Sequence, residues 1–156
     1  MASLDQQVER LIQQAPGDDV TATLTALMGP LLKQVASQLK HLEYYVLQTR
    51  GGGWVVTTLG NRARPDQEKA VVYAFPTIQD AQAFAETHKD AEISAIALPV
   101  VEILFQLIAL KTVESLLFFE VAGDRRQAAE VRRSDLQAQM QLIMRQQLHL
   151  PPSNLA

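Results

Sequence analysis

The sequence contains no cysteine. Disulfides, thiolate nucleophiles, zinc ribbons and iron–sulfur ligation are excluded in one step. This suits a reducing compartment without requiring one. Histidine is scarce too: His41, His88 and His149 are the whole set, and no two stand at His-x-x-x-His spacing. No serine lies in a Gly-x-Ser-x-Gly elbow. The one glycine cluster, Gly51-Gly52-Gly53, runs into Trp54 and a β-branched segment. A phosphate cradle would need a Gly-Lys-Ser/Thr sequence or a helix start there, so a turn is the better reading. A long uninterrupted apolar run is also missing. The greasiest stretch, Leu98 to Val121, is broken by Glu102, Gln106, Lys111, Glu114 and Glu120, so no membrane span is expected. Residues 1–7 show no basic region leading into an apolar core, and the cytoplasm is the expected location. No metal or cofactor is expected.

The chain has 156 residues with 47% apolar and 20% charged side chains. That is the size and balance of one folded domain, which at this length buries roughly 68–70% of its unfolded surface. The net charge of −3 argues against nucleic acid as a partner, since such binders carry a basic field.

Periodicity organises the chain. Leu4, Val8, Leu11 and Ile12 share one stripe of a short helix, which Pro16-Gly17 ends. A second helix follows from Asp18-Asp19, with Val20, Leu24, Leu27, Met28, Leu31, Val35, Leu39 and Leu42 at a 3.6-residue period and a kink or break expected at Gly29-Pro30. Residues 43–49 and 54–59 are rich in aromatic and β-branched residues and read as a hairpin around the glycines. Residues 60–68 read as a polar loop and 69–75 as a third strand. Thr77 and Asp80 resemble a capping box for a helix that buries Ile78, Ala81, Phe84 and Ala85. A strand at 92–98, an almost wholly apolar helix from Pro99 to Leu110 and a strand at 113–120 follow. Residues 125–148 read as a long polar helix, with Ala129, Leu136, Ile143 and Leu150 seven apart. The fold class expected is α+β: a mixed, largely antiparallel sheet of about five strands packed with helices. The single domain divides into N-terminal helices (1–42), a sheet-and-helix core (43–120) and a C-terminal helix (121–150).

Several features carry a functional reading beside a bland one. Arg125, Arg126, Arg132 and Arg133 make pairs seven apart, which on a helix form a basic ridge; the interleaved Asp124, Glu130 and Asp135 point to a solvated face instead. Glu102, Glu114 or Glu120 would have acid–base potential if buried among apolar neighbours, and each reads more simply as the solvent edge of its element. Trp54, Tyr44, Tyr45, Tyr73 and Phe75 alternate on strands, so some must face away from one helical layer. They are either covered by a second layer or left for a partner. The helix 99–110 is apolar around nearly its whole circumference, which places it either at the centre of the domain or in contact with another chain.

The run Val71-Val72-Tyr73-Ala74-Phe75-Pro76-Thr77, followed by Asp80-Ala81-Gln82-Ala83-Phe84, resembles the strand-then-helix unit of SseB-like proteins and of the related plastid and cyanobacterial import-associated Tic family. Ile96-Ala97-Leu98-Pro99-Val100 and Leu116-Leu117-Phe118-Phe119-Glu120 fit the same pattern. The resemblance covers about half the chain and brings no catalytic residues. It implies a chaperone-like adaptor or assembly factor, one cyanobacterial form of which would recognise a tail of a carboxysome shell protein. The expectation is therefore a non-enzymatic module that binds a protein or peptide partner through Tyr45, Trp54, Val101, Phe105 and Ile108. The groove would lie beside helix 99–110 or along the edge of the meander. The alternatives are a homodimer subunit and an enzyme whose site is assembled from scattered residues.

Overall fold

In the computed structural model, residues 2–14, 19–61, 64–88 and 92–148 are described. They form an α+β fold with the order α1 (Leu4–Gln13), α2 (Asp19–Ser37), β1 (Glu43–Gln48), β2 (Thr57–Asn61), β3 (Arg64–Phe75), α3 (Ile78–Ala85), β4 (Ser94–Pro99), α4 (Val100–Ala109), β5 (Ser115–Val121), β6 (Asp124–Arg132) and α5 (Arg133–Leu148). Six strands make one sheet in the order β4-β1-β3-β5-β6, with β2 paired to the first half of β3. Only β3 and β5 run parallel; every other pair is antiparallel.

The alternation of side chains along each strand splits the interior into two layers. Tyr44 and Val46 of β1, Val72 and Ala74 of β3, and Leu116 and Phe118 of β5 pack with Met28, Leu32, Ala36 and Leu136 from α2 and α5, and with Val100, Val101, Ile103, Leu104 and Leu107 of α4. The opposite face carries Leu47, Phe75 and Phe119, covered by Ala81 and Phe84 of α3. Four helices therefore serve one face and one eight-residue helix serves the other.

Helix α4 explains this inequality. All five of its core residues are fully out of solvent, so it takes the central place among the two expected for it. Its first turn is held by Gln7 of α1. The Gln7 Oε1 accepts from the Val101 N–H at 3.0 Å, while Nε2 donates to the carbonyls of Leu42 (2.9 Å) and Ala2 (3.1 Å). One amide thus satisfies an orphan donor of α4 and fastens α1 to the entry of β1. Helix α2 runs unbroken through Pro30, where a kink or break was expected. The buried residues Met28, Leu31, Leu32 and Ala36 on both sides hold it in one piece at the cost of one backbone hydrogen bond. Gly29 lets α1 approach closely: a Cβ there would stand 2.7 Å from Val8 Cγ1.

Three further expectations are corrected. Residues 121–150 are not a single helix: Gly123, at φ +77°, turns β5 back into β6, and helix begins only at Arg133. Ala129, assigned to a helical stripe, instead alternates inward with Val131 along β6. The polar stretch 60–68 is not a simple loop, because β2 and β3 extend through much of it as a two-stranded arm. The glycine cluster does form a turn, with Gly52 at φ +93° and a bridge between Gln48 and Trp54, but the expected hairpin of 43–49 with 54–59 goes no further: β2 pairs with β3, and β1 lies between β3 and β4.

Gln7→Leu roughly preserves volume but strands the Val101 N–H, while the Leu42 carbonyl keeps the Val100 N–H as a donor. It should cost about 2–3 kcal/mol, read from urea unfolding. An unchanged midpoint would show that the bridging amide contributes nothing.

Candidate functional site

The strand path β4-β1-β3-β5-β6 ends in β4 and β6, which differ in chemistry; β2 lies off this path, paired with β3. At one edge β6 carries Asp124, Arg125, Arg126, Glu130 and Arg132, the charged guard that discourages pairing with another chain. At the other edge β4, Ser-Ala-Ile-Ala-Leu-Pro, has no charged residue. Its inner side is paired along its whole length with β1, from Glu43↔Pro99 to Gln48↔Ser94. No described strand pairs with its outer side. Ser94 and Ala97 are exposed.

Beside this edge lies the thinly covered face. Phe75 and Phe119 stack with centroids 5.3 Å apart, Tyr73 meets Phe84 edge-on at 5.0 Å, and the Arg125 guanidinium sits 5.8 Å above Phe84. Tyr45, Phe84, Ile93 and Ala95 are only half-buried around this cluster. Next to the edge, where Tyr45 pairs with Ala97, Lys40, His41, Leu42, Glu43, Tyr45 and Pro76 line an open hollow of about 360 Å³. Thr77 starts α3 by accepting from the Asp80 N–H at 3.1 Å. The Asp80 carboxylate does not complete a capping box; it accepts from the Gly123 N–H at 3.0 and 3.1 Å, tying α3 to the β5–β6 turn.

The chain matches no protein-family model and no curated protein.

The five expected contact residues do not form one surface. Tyr45 lies on the α3 face, whereas Trp54, Val101, Phe105 and Ile108 belong to the four-helix face. Val101 is fully buried and has no surface to offer. Phe105, Ile108 and Trp54 are half-buried against the core. The hollow between α1 and the start of α4 measures about 20 Å³, room for about one water and none for a peptide. The second layer over the strand aromatics is α3; the N-terminal helices cover the Tyr44 side instead.

The polar candidates resolve into structural contacts. Among the described residues, no group of three or more histidines or carboxylates could hold a metal ion. Glu114 is exposed, and Glu102 accepts from the Gln106 amide at 3.4 Å. Glu120 is a clamp: it accepts from the Tyr44 hydroxyl and from the Lys40 N–H at 2.8 Å, while its own carbonyl meets His41 Nε2 at 2.8 Å. Ser37 and Lys40 stand at Ser-x-x-Lys spacing, but the exposed Ser37 hydroxyl donates to the Gln34 carbonyl of its own helix at 2.6 Å and is spent on α2's last turn. His88 caps α3 by facing the Phe84 carbonyl. His149 lies outside the described residues. The basic ridge does not exist as a helix face, because Arg125, Arg126 and Arg132 are on β6 and only Arg133 begins α5.

Burial, and then the Glu120 carboxylate that its hydroxyl faces, push the Tyr44 phenol well above its ordinary value of about 10. The folded protein holds this proton more tightly than the unfolded chain. The contribution is therefore complete below about pH 10 and is lost as pH rises, because the unfolded chain ionises first. Tyr44→Phe should cost about 1 kcal/mol at neutral pH. That deficit should shrink by about 1 kcal/mol per pH unit above about pH 10 in paired urea titrations. A deficit independent of pH would refute the assignment.

Proposed function

We propose that the protein is a non-enzymatic protein-binding module that captures an extended segment of a partner along β4. The observation that carries this reading is the contrast between β4 and β6, the two ends of the strand path. An open edge offers a row of backbone donors and acceptors, and adding a strand to it satisfies them at once. Edges that must stay free are normally blocked by charge; β6 has that protection and β4 has none.

Alternate side chains of the added strand fall on the α3 face, where Ala95, Ala97 and Tyr45 leave a shallow apolar track. The hollow lined by Tyr45, Pro76 and His41 gives one of them a place to anchor. Backbone hydrogen bonds then supply affinity while the track and hollow supply selectivity. The reading agrees with the adaptor role that the resemblance to SseB-like and Tic proteins implies. A partner tail, such as one from a carboxysome shell protein, is the kind of segment this edge fits. No helix among the described residues is long and apolar enough to cross a membrane, so such a partner would be met outside the bilayer or at its surface.

Ala97→Lys places a charge on the exposed edge without touching the core. It should change stability by less than about 0.5 kcal/mol and abolish binding of the partner segment, measured by calorimetry with the peptide. Hydrogen exchange at the β4 amides should slow on binding in the wild type. Undiminished binding by Ala97→Lys, or exchange at β4 unaffected by the bound peptide, would remove the proposal. Self-pairing of β4 as a homodimer, seen by sedimentation and lost in Ala97→Lys, would reassign the edge to a second copy of the chain.

A further inference from the structure

We propose that the foot of the sheet holds a separate binding site for a phosphate-bearing polyanion, built from Lys69, Lys111, Arg132 and Arg133. These four cations come from β3, the turn after α4, the end of β6 and the first residue of α5, and they line one open cavity of about 400 Å³. That volume lies in the range of small-molecule sites, but the wall is unlike theirs. Val113 is its single apolar residue; Glu114, Ser115, Ser134 and Gln137 complete it. Most residues of the wall are charged or polar, so a ligand's charged oxygens find partners here.

The backbone assembles the cluster. The Glu114 N–H donates to the Ala70 carbonyl, and the Glu114 carbonyl accepts from the Arg133 N–H, both at 2.8 Å. One residue thereby pins the start of β5 between β3 and α5 and draws together side chains far apart in sequence. Glu130 stands behind two of them. It accepts from the Ser115 hydroxyl at 2.6 Å and pairs with Lys69 and, at 3.8 Å, with Arg132. Lys69 and Ser115 hold its carboxyl below the usual range, so it stays charged and props those cations in place. Arg133 Nε donates to the Ile108 carbonyl at 3.1 Å, which fixes the guanidinium. Lys111 has no ion pair among the described residues.

Four cations against Glu114 and Glu130 leave 4 − 2 = +2 at this spot, on a chain whose net charge is −3. A concave patch of opposite sign to the whole molecule focuses the field on an incoming anion. Two adjacent guanidinium forks with two ammonium groups match a phosphate or diphosphate group, since the planar fork binds two oxygens at once and lysine acts as a point charge. The surplus of two also corresponds to the charge of a phosphate monoester near neutral pH, about −2. The site lies at the β5–β6 end of the sheet, away from β4, and does not depend on the partner reading.

The test titrates the full chain with pyrophosphate at low ionic strength, followed by thermal unfolding and amide chemical shifts. A saturable rise in Tm is expected, with shifts confined to residues 69, 111–115 and 130–137. The double variant Lys111→Gln/Arg132→Gln alters two solvent-exposed side chains, so it should fold with an unchanged circular dichroism spectrum. It should bind pyrophosphate more weakly by on the order of tenfold or more. Sodium chloride at equal ionic strength should produce no saturable shift, and Ala97→Lys should bind pyrophosphate as the wild type does. An equal response to sodium chloride, undiminished binding in the double variant, or binding of citrate without binding of pyrophosphate would each overturn the proposal.

Discussion

Helix α4 has to be kept out of water, and most of the architecture follows from that constraint. Five of its residues are fully buried, and at about 25 cal/mol per Å² of apolar surface each large aliphatic side chain contributes roughly 1.5–3 kcal/mol. A helix that is apolar nearly all round cannot lie on a sheet with one side free. It needs the sheet beneath it and neighbours beside and above, and α1, α2 and α5 supply them. Gln7 helps complete the enclosure by accepting from the Val101 N–H at the helix start, where the Val100 N–H donates to the Leu42 carbonyl.

Committing four of five helices to one face leaves the other to α3 alone. Eight residues are too few to roof six strands, so the second face is sealed in two ways. Under α3 it is closed by an aromatic cluster of Tyr73, Phe75, Phe84 and Phe119. Beyond α3, toward the foot of the sheet, it is closed by charge: Lys69, Glu130 and Arg132 lie over the end of the sheet where Val71 and Ser115 remain fully buried. The same imbalance therefore produces an apolar region beside β4 and a polar one beside β5 and β6.

Much of the fold was legible because burial on one face leaves a period in the sequence. The stripe of α1, the long α2, the aromatic β1, the strand–helix unit 71–85 and the all-round apolarity of α4 each state their type directly. The stretch 124–132 was misread because β6 faces solvent on one side and carries Arg, Gln, Ala and Glu, residues that favour helices when context does not decide. Its true signal was the Ala-Gly-Asp turn at 122–124 after a strand, with Ala129 and Val131 two apart. That error displaced the arginines, so the ridge was expected where the chain builds a pocket. Gln7 was overlooked although its position was telling. It occupies the i+3 place of the stripe Leu4, Val8, Leu11, where an apolar residue belongs, and a polar residue on a buried stripe needs partners. Tyr45 falls on the thinly covered face, but Val101 could not be separated from Phe105 and Ile108, because composition around an almost wholly apolar helix does not say which side its neighbours take.

The placement of charge then distinguishes what the two ends of the sheet can do. A charged edge strand resists a further strand because the incoming backbone would have to displace hydrated, mutually screened side chains. On β6 those charges are also coupled to Lys69 across the sheet, so they hold the foot of the domain in shape as well as guarding the edge. On β4 the corresponding positions are alanine, serine and proline, and the strand carries no charged side chain. Domain-wide net charge would miss this difference, since the cations gathered at one end are outweighed by carboxylates spread over the rest. What decides the chemistry of each end is which element of a single sheet was left without a helical roof, and whether charge or small apolar side chains were placed there instead.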